Sequence, residues 1–180
     1  AFRENGYHAT STHDIMRLAG ITGGALHHHF PTKKSLGLAV IKERVAPAVA
    51  ATWIAPVQNG RSALEGILDA FAGIADSLDQ RGKVLGCPLN NLAVELSLAD
   101  PDFRAAVDAV YEGWRQAIAE KARRDKQAPA LAISPDDLGT FVVAAYSGAI
   151  AMPKAQQSAE PLRVCGRHAA ILLCGAGARR

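Results

Sequence analysis

The sequence predicts an all-α fold: an N-terminal three-helix unit of the helix-turn-helix, homeodomain-like kind, then a larger helical domain. Three observations carry this. Apolar residues recur at three-and-four spacing almost throughout, and no stretch alternates as a half-buried strand would. Candidate segments begin at Ser, Thr or Asp, often with a proline next, and several end at glycine. Near the N-terminus two short helical patterns flank one glycine, Gly20, which can take the left-handed conformation of a tight turn.

Taken in order, Ala1–Asn5 reads as the tail of a helix whose beginning is absent, stopped by Gly6. Ser11 or Thr12 can cap a short helix carrying Ile15, Leu18 and Ala19. Thr22 caps the next, which runs to about His29. Pro31 ends it, and Thr32 caps a longer helix from Lys33. Leu64, Ile67, Leu68, Phe71, Ile74, Ala75 and Leu78 form one stripe, broken by Gly82 and Gly86. Pro88 suits the first turn of a helix with Leu89, Leu92, Ala93 and Leu96 inward. Asp100 caps and Pro101 starts another, carrying Phe103, Val107, Val110, Tyr111, Trp114 and Ile118; its basic end, Lys121, Arg123, Arg124 and Lys126, suits the helix dipole. Ser134-Pro135 begins a further helix, and Pro161 opens a last one holding Leu162, Cys165, Ala169, Leu172 and Leu173. The boundary is expected within the helix after Lys33, near Pro47 and Pro56, dividing residues 1–45 from 46–180.

Composition narrows the class. A hydrophobic content of 49% can supply a core. No run reaches the roughly 18 apolar residues that span a bilayer, and the first residues lack a signal peptide's apolar segment, so a soluble, cytoplasmic protein is expected. Cys87, Cys165 and Cys174 are odd in number and widely spaced, which suits buried thiols better than disulfides or a zinc site. The charge is uneven. Residues 1–50 hold six Lys/Arg against three acids, the whole of the chain's net +3, and five of its six histidines. That is expected of a segment that approaches phosphates.

Helix, glycine turn and second short helix make a helix-turn-helix, whose second helix enters the major groove. With about 100° between successive residues, Leu26 and Phe30 point inward; Gly24 and His28 fall opposite, flanked by Ala25 and His27. Gly23 and His29 lie nearer the core edge. A glycine costs about 1 kcal/mol relative to alanine in a helix interior, and so short a helix is unstable alone. It is expected to rest on Ile15, Ala19, Ile21, Leu26 and Phe30. A weak helix kept for its exposed face suggests close backbone approach to a groove floor, although Gly23-Gly24 also suits a loop before a shorter helix.

The run Gly6-Tyr7-x-x-Thr10-Ser11, Ile15, Ala19-Gly20-Ile21-Thr22-x-Gly24-x-Leu26, then His28-His29-Phe30-Pro31-x-Lys33-x-x-Leu36 resembles the DNA-binding domain of the tetracycline-repressor (TetR) family over nearly all of the first 45 residues. The resemblance implies a dimeric, all-α regulator, usually a repressor, with a C-terminal domain that binds a small molecule and dimerises. By position, it implies that Thr12 contacts phosphate with His13 near base edges, and that Thr22, Gly23, Gly24 and Ala25 lie at the major groove. His27 stands where the family usually has Tyr; His28 would meet phosphate or a base, and Lys33 phosphate. Three adjacent imidazoles diverge along a helix, so no metal site is expected there, nor any cofactor. Histidines at such a face would strengthen DNA binding on mild acidification.

Gly86-Cys87-Pro88-Leu89-Asn90-Asn91-Leu92-Ala93-x-Glu95 resembles a segment of some TetR-like regulators, where it begins a helix beside the ligand cavity. Cys87 there suits a thiol sensor or a small buried residue. Asn91, Tyr111, Trp114 and Tyr146 are candidate ligand contacts, though aromatics at helical spacing are more often core. Ala144, Ala145, Gly148 and Ala149, with Gly166, Ala169 and Ala170, permit close helix approach, and the family pairs its last two helices in a homodimer. Such a dimer sets two recognition helices one DNA turn apart, about 34–36 Å, and implies a palindromic operator. An enzyme is not expected: G-x-S-x-G, H-E-x-x-H, P-loop and G-x-G-x-x-G motifs are absent. A third reading is an interaction module that keeps the helix-turn-helix only as scaffold.

Overall fold

The structure is a computed structural model and describes residues 1–125 and 133–174. Among the described residues every regular element is helical. The order is α1 (Phe2–Asn5), α2 (Thr12–Ala19), α3 (Gly23–His29), α4 (Lys33–Val40), a π-helical stretch Ile41–Val45, α5 (Ala46–Val49), a second π stretch Ala50–Ile54 and α6 (Ala55–Asn59). Then follow α7 (Ala63–Arg81), α8 (Pro88–Leu96), α9 (Pro101–Arg124), α10 (Pro135–Ala149), α11 (Ala151–Gln156) and α12 (Glu160–Cys174). Lys126 lies outside the described residues, as does the side chain of Cys174.

The caps are those the sequence offers. Ser62 accepts the Glu65 N–H at the head of α7, and Gly82 ends that helix at φ 64°. Asp100 accepts the Asp102 N–H at 2.8 Å ahead of α9, and Ser134 takes the Asp137 N–H ahead of α10. The π stretches are not legible from spacing, but each precedes a proline. Pro47 and Pro56 have no N–H for the carbonyl four residues back, and their rings crowd it. The amides of Ala46 and Ala55 instead reach the carbonyls of Ile41 and Ala50, one residue further back than an α-helix requires.

Packing divides the chain into two compact units: residues 1–47 with 87–109, and residues 48–86 with 110–180. The first unit is discontinuous in sequence: 87–109 fall in it although 48–86 intervene. In that unit Tyr7 meets Phe103 edge-on at 5.1 Å, beside a core that includes Leu26, Ile41, Leu89, Leu96 and Val107. Gly37 is required there: a Cβ on it would stand 2.8 Å from both the Phe103 and Tyr7 rings.

The second unit is built on Trp53, Ile67, Phe71, Trp114, Ile118, Leu138, Val142 and Leu162, all buried. Each large apolar side chain removed from water contributes about 1.5–3 kcal/mol. On α7, Ile67, Phe71, Ala75 and Leu78 are buried, while Leu64, Leu68 and Ile74 sit half-exposed at the stripe's edges. Leu172 departs from expectation: it is 64% exposed beside Ile171 at 62%, because α12 turns Leu162, Ala169 and Leu173 inward instead. The short α11 also intervenes between α10 and α12.

Candidate nucleic-acid interface

Local chemistry sets the helix-turn-helix. Ser11 accepts the Asp14 N–H, and the Asp14 carboxylate accepts from Ser11 in return, closing a capping box on α2. These bonds hold the Asp14 carboxyl below its ordinary range. Gly20 turns the chain at φ 65°, ψ 30°, its N–H returned to the Met16 carbonyl. Thr22 accepts the Ala25 N–H at 3.3 Å and starts α3, and Thr32 with Ser35 closes a second capping box on α4.

Leu26 is the buried residue of α3, 5% exposed, and Phe30 is half-buried. Gly24, Ala25, His27 and His28 are exposed, as the helical wheel requires. His29 is exposed too, its ring edge-on to His28 at 5.0 Å. A Cβ on Gly23 would rest 3.6 Å from the Met16 sulfur, whereas one on Gly24 would meet nothing within 4 Å. The base under α3 is narrower than expected. Ile15 and Met16 are half-buried, but Leu18 is 65% and Ile21 41% exposed, and Ala19 is exposed as well. The left-handed turn at Gly20 takes Ile21 off the wheel of α2, so it does not extend that helix's apolar stripe.

Among the other candidates, His13 and Thr22 are exposed and Thr12 is half-buried at the first position of α2. Lys33 has protein partners of its own: its ammonium donates to the His8 carbonyl at 3.3 Å and lies 4.5 Å above the Tyr7 ring. Lys34 is bound by Asp100 and Asp102, each at 2.7 Å. Those hydrogen bonds raise the Lys34 pKa and hold the Asp100 carboxyl below its ordinary range.

The charge asymmetry of the first 50 residues is thus answered inside the first unit. Residues 1–47 carry six cations against three carboxylates, and residues 87–109 carry four carboxylates (Glu95, Asp100, Asp102, Asp108) against Arg104, so the two segments sum to zero. Two of those acids are spent on Lys34, and Glu95 holds the backbone amides of Tyr7 and His8. The α3 sequence itself holds no acid, and its last turn carries three imidazoles.

The expected ligand contacts divide between the units. Cys87 precedes the first turn of α8 and is 6% exposed, and Asn91 follows on the same helix; both belong to the first unit. In the second unit Trp114 and Tyr146 meet at 5.5 Å between ring centroids, and Tyr111 is half-buried. Trp53 and Phe71, which sequence reasoning did not single out as site residues, complete that aromatic group. Cys165 donates weakly to the Ala145 carbonyl at 3.8 Å, and burial pushes its thiol up. Among the described residues no cluster of His, Cys, Asp and Glu is arranged to hold a metal ion. No helix there is long and apolar enough to cross a membrane.

Residues 1–40 match the family of bacterial regulatory proteins called tetR, and residues 63–168 match the C-terminal domain of LmrA/YxaF-like transcriptional regulators. The chain belongs to the TetR family. Over 177 residues it is 27% identical to the transcriptional repressor DhaR of Mycobacterium sp. (strain GP1), covering 89% of this chain and 80% of that protein. The crystal structure of a regulatory protein TetR from Rhodobacter sphaeroides superposes with a TM-score of 0.84 at 25% identity, covering 96% of this chain and 92% of the other. The TetR-family regulator CifR, solved with a 26-bp double-strand operator DNA, shares the fold at a TM-score of 0.77 and 18% identity over 94% of this chain and 89% of its own. This TetR-family protein is a DNA-binding transcription regulator and not an enzyme. The family is homodimeric and binds operator DNA under the control of effector ligands.

Proposed function

We propose that this TetR-family regulator is a cytoplasmic repressor that binds a palindromic operator as a homodimer and is released by a small molecule. The observation that carries the reading is the face of α3: Gly24, Ala25, His27 and His28 lie exposed on a helix supported from below by Leu26. In this reading Gly23, Gly24 and Ala25 approach the groove floor, and Thr22, His27 and His28 flank it. Thr12, His13 and Lys33 lie toward the phosphates. Residues 1–45 read DNA and 46–180 bind ligand and dimerise, with 87–109 lending Glu95, Asp100 and Asp102 to the DNA-reading unit. The similarity to a named repressor, DhaR, favours repression over activation.

The dimer face is assigned to α10 and α12. Phe141, Ala144 and Gly148 follow one another at three-and-four spacing on α10 and are all exposed, and α12 exposes Ile171 and Leu172. Isolated exposed apolar residues are ordinary, but a row along one helix and a pair on another suit a covered interface. A two-fold pairing places two copies of α3 one DNA turn apart. Effector binding releases DNA by favouring a conformer with another separation. Trp114, Tyr146 and Tyr111 are the effector contacts within the second unit.

Selection of bound DNA from a random duplex pool tests the reading. A recovered palindrome supports both groove reading and two-fold symmetry. Recovery of no preferred sequence by the folded protein overturns it.

A further inference from the structure

Among the described residues, three buried side-chain nitrogens of the second packing unit have no hydrogen-bond acceptor: Nε1 of Trp53, Nε1 of Trp114, and Nε of Arg115, whose guanidinium still pairs with Glu112. Of these, the indole N–H groups belong to residues fully removed from water, Trp53 at 1% and Trp114 at 0% exposed. Protein interiors seldom leave such a group unmatched, and each case calls for an explanation. The two belong to one cluster: the indole rings are 4.9 Å apart between centroids, and Tyr146 lies 4.9 Å from Trp53 and 5.5 Å from Trp114. Trp53 also stands in the π-helical stretch Ala50–Ile54, and such turns recur at functional sites.

A groove of about 490 Å³ between α7 and α12 has Phe71 of the same cluster in its wall. That is within the range of small-molecule sites, roughly 300–1,000 Å³. Leu68, Phe71, Ala72 and Gly166 line it, with Arg163 and Arg167 among its charged groups. Phe71 belongs to both places, because its ring also packs edge-on against Trp53 at 5.0 Å. Gly166 keeps α12 close to it: a Cβ there would stand 3.0 Å from the Phe71 Cβ. The guanidinium groups are already paired, Arg163 with Asp76 and Asp79 and Arg167 with Glu160, so the groove does not select an anion.

We infer that the effector is an uncharged, flat, carbonyl-bearing molecule that enters by this groove, displaces the Phe71 ring and presents its oxygen to the indole N–H groups of Trp53 and Trp114. The inference rests on the reading of the chain as an effector-controlled regulator and names the chemistry of the effector. A carbonyl oxygen offers two lone pairs and no donor, which matches a site with two donors. A carboxylate would leave its charge among apolar rings, a large desolvation cost. The flat body takes the place that Phe71 leaves beside the remaining aromatic faces.

The sequence holds two tryptophans, so the indole region of a proton–nitrogen NMR spectrum of the full chain contains two side-chain peaks, both from this cluster. Three probes of equal ring size separate the chemistries: 2-acetylnaphthalene, 2-ethylnaphthalene and 2-naphthoate. The acetyl compound is expected to move both indole N–H peaks downfield. The ethyl compound should bind about tenfold more weakly, as two hydrogen bonds of ordinary net strength imply, and the naphthoate more weakly still. Trp114→Phe should cut affinity for the acetyl compound about fivefold and leave affinity for the ethyl compound unchanged. Equal affinity for the acetyl and ethyl compounds, tightest binding of the naphthoate, or indole peaks that ignore the acetyl compound up to its solubility limit would overturn the inference. Should Trp114→Phe fail to fold, the shifts in the unaltered protein decide the matter alone. DNA selected from the random pool is bound in parallel: operator binding with silent indoles rejects the effector chemistry only, whereas responsive indoles without DNA binding reject the regulator.

Discussion

The carboxylate of Glu95, on α8, accepts the backbone N–H of Tyr7 at 2.8 Å across 88 residues of sequence, and its other oxygen accepts the N–H of His8. The loop between α1 and α2 thus takes its two amide acceptors from a helix far along the chain. Gly6 makes room for this, since at φ 85° its missing Cβ would stand 3.2 Å from the same carboxylate. Hydrogen bonds to a charged acceptor contribute about 1.5–3 kcal/mol when well buried. Here one amide is part-buried and the other exposed. Glu95→Ala is therefore expected to cost about 1–2 kcal/mol in urea unfolding, and Glu95→Gln, which keeps one acceptor oxygen, less. An unchanged midpoint in Glu95→Ala would show that water replaces the carboxylate at no cost.

That contact marks where sequence reading stops. The caps at Ser11, Thr22 and Thr32, the Gly20 turn and the outward face of α3 were legible because each is decided within a few residues. The pairing of Glu95 with Tyr7, of Lys34 with Asp100 and Asp102, and of Trp53 with Trp114 was not, because periodicity says which face of a helix is apolar and nothing about what that face meets. The π stretches were hidden for another reason: Pro47 and Pro56 announce a break in an α-helix without saying whether the chain stops or widens.

Lys33 separates two roles that the sequence could not. Its ammonium is 3.3 Å from the His8 carbonyl and 4.5 Å above the Tyr7 ring, so removing it disturbs the free protein as well as any phosphate contact. Lys33→Ala is expected to lose about 0.5–1 kcal/mol of stability, the value of an exposed cation–π contact, together with operator affinity. His28→Ala, whose ring is exposed, should lose operator affinity alone. Paired melting curves and operator titrations check both, and full affinity in the two variants removes them from the DNA face.

The Lys34–Asp100 pair gives stability a signed pH dependence. Asp100 titrates below its ordinary value because Lys34 hydrogen-bonds it, so its contribution is present above the ordinary carboxylate range and is lost as pH falls through the lowered value. Lys34 titrates above its ordinary value because of Asp100 and then Asp102, so its contribution is present below that value and is lost as pH rises through the raised one. The alkaline side is shared with Tyr7, whose phenol is pushed up by burial and then by Asp100. The acid side is the cleaner test. Lys34→Met should flatten the loss of stability below about pH 4, the ordinary carboxylate range, and high salt should do the same to the unaltered protein. An acid limb that neither change alters would mean that the pair contributes nothing to folding.

Gly24 offers the sharpest opposition between stability and function. It lies on the exposed face of α3, and a Cβ there would meet nothing within 4 Å. Glycine inside a helix is worse than alanine by about 0.8–1 kcal/mol, so Gly24→Ala should stabilise the free protein by up to that amount. Gly23→Ala should behave similarly, since its Cβ would rest 3.6 Å from the Met16 sulfur, an ordinary contact. If α3 approaches a groove floor through its backbone, the added methyl at residue 24 stands where the bases lie, and operator affinity should fall while the melting temperature rises. The same substitution thus moves two measurements in opposite directions, which neither unfolding nor a merely solvated helix face can do. A variant that melts higher and binds operator as tightly as before would mean that α3 holds its glycines for some reason other than the groove.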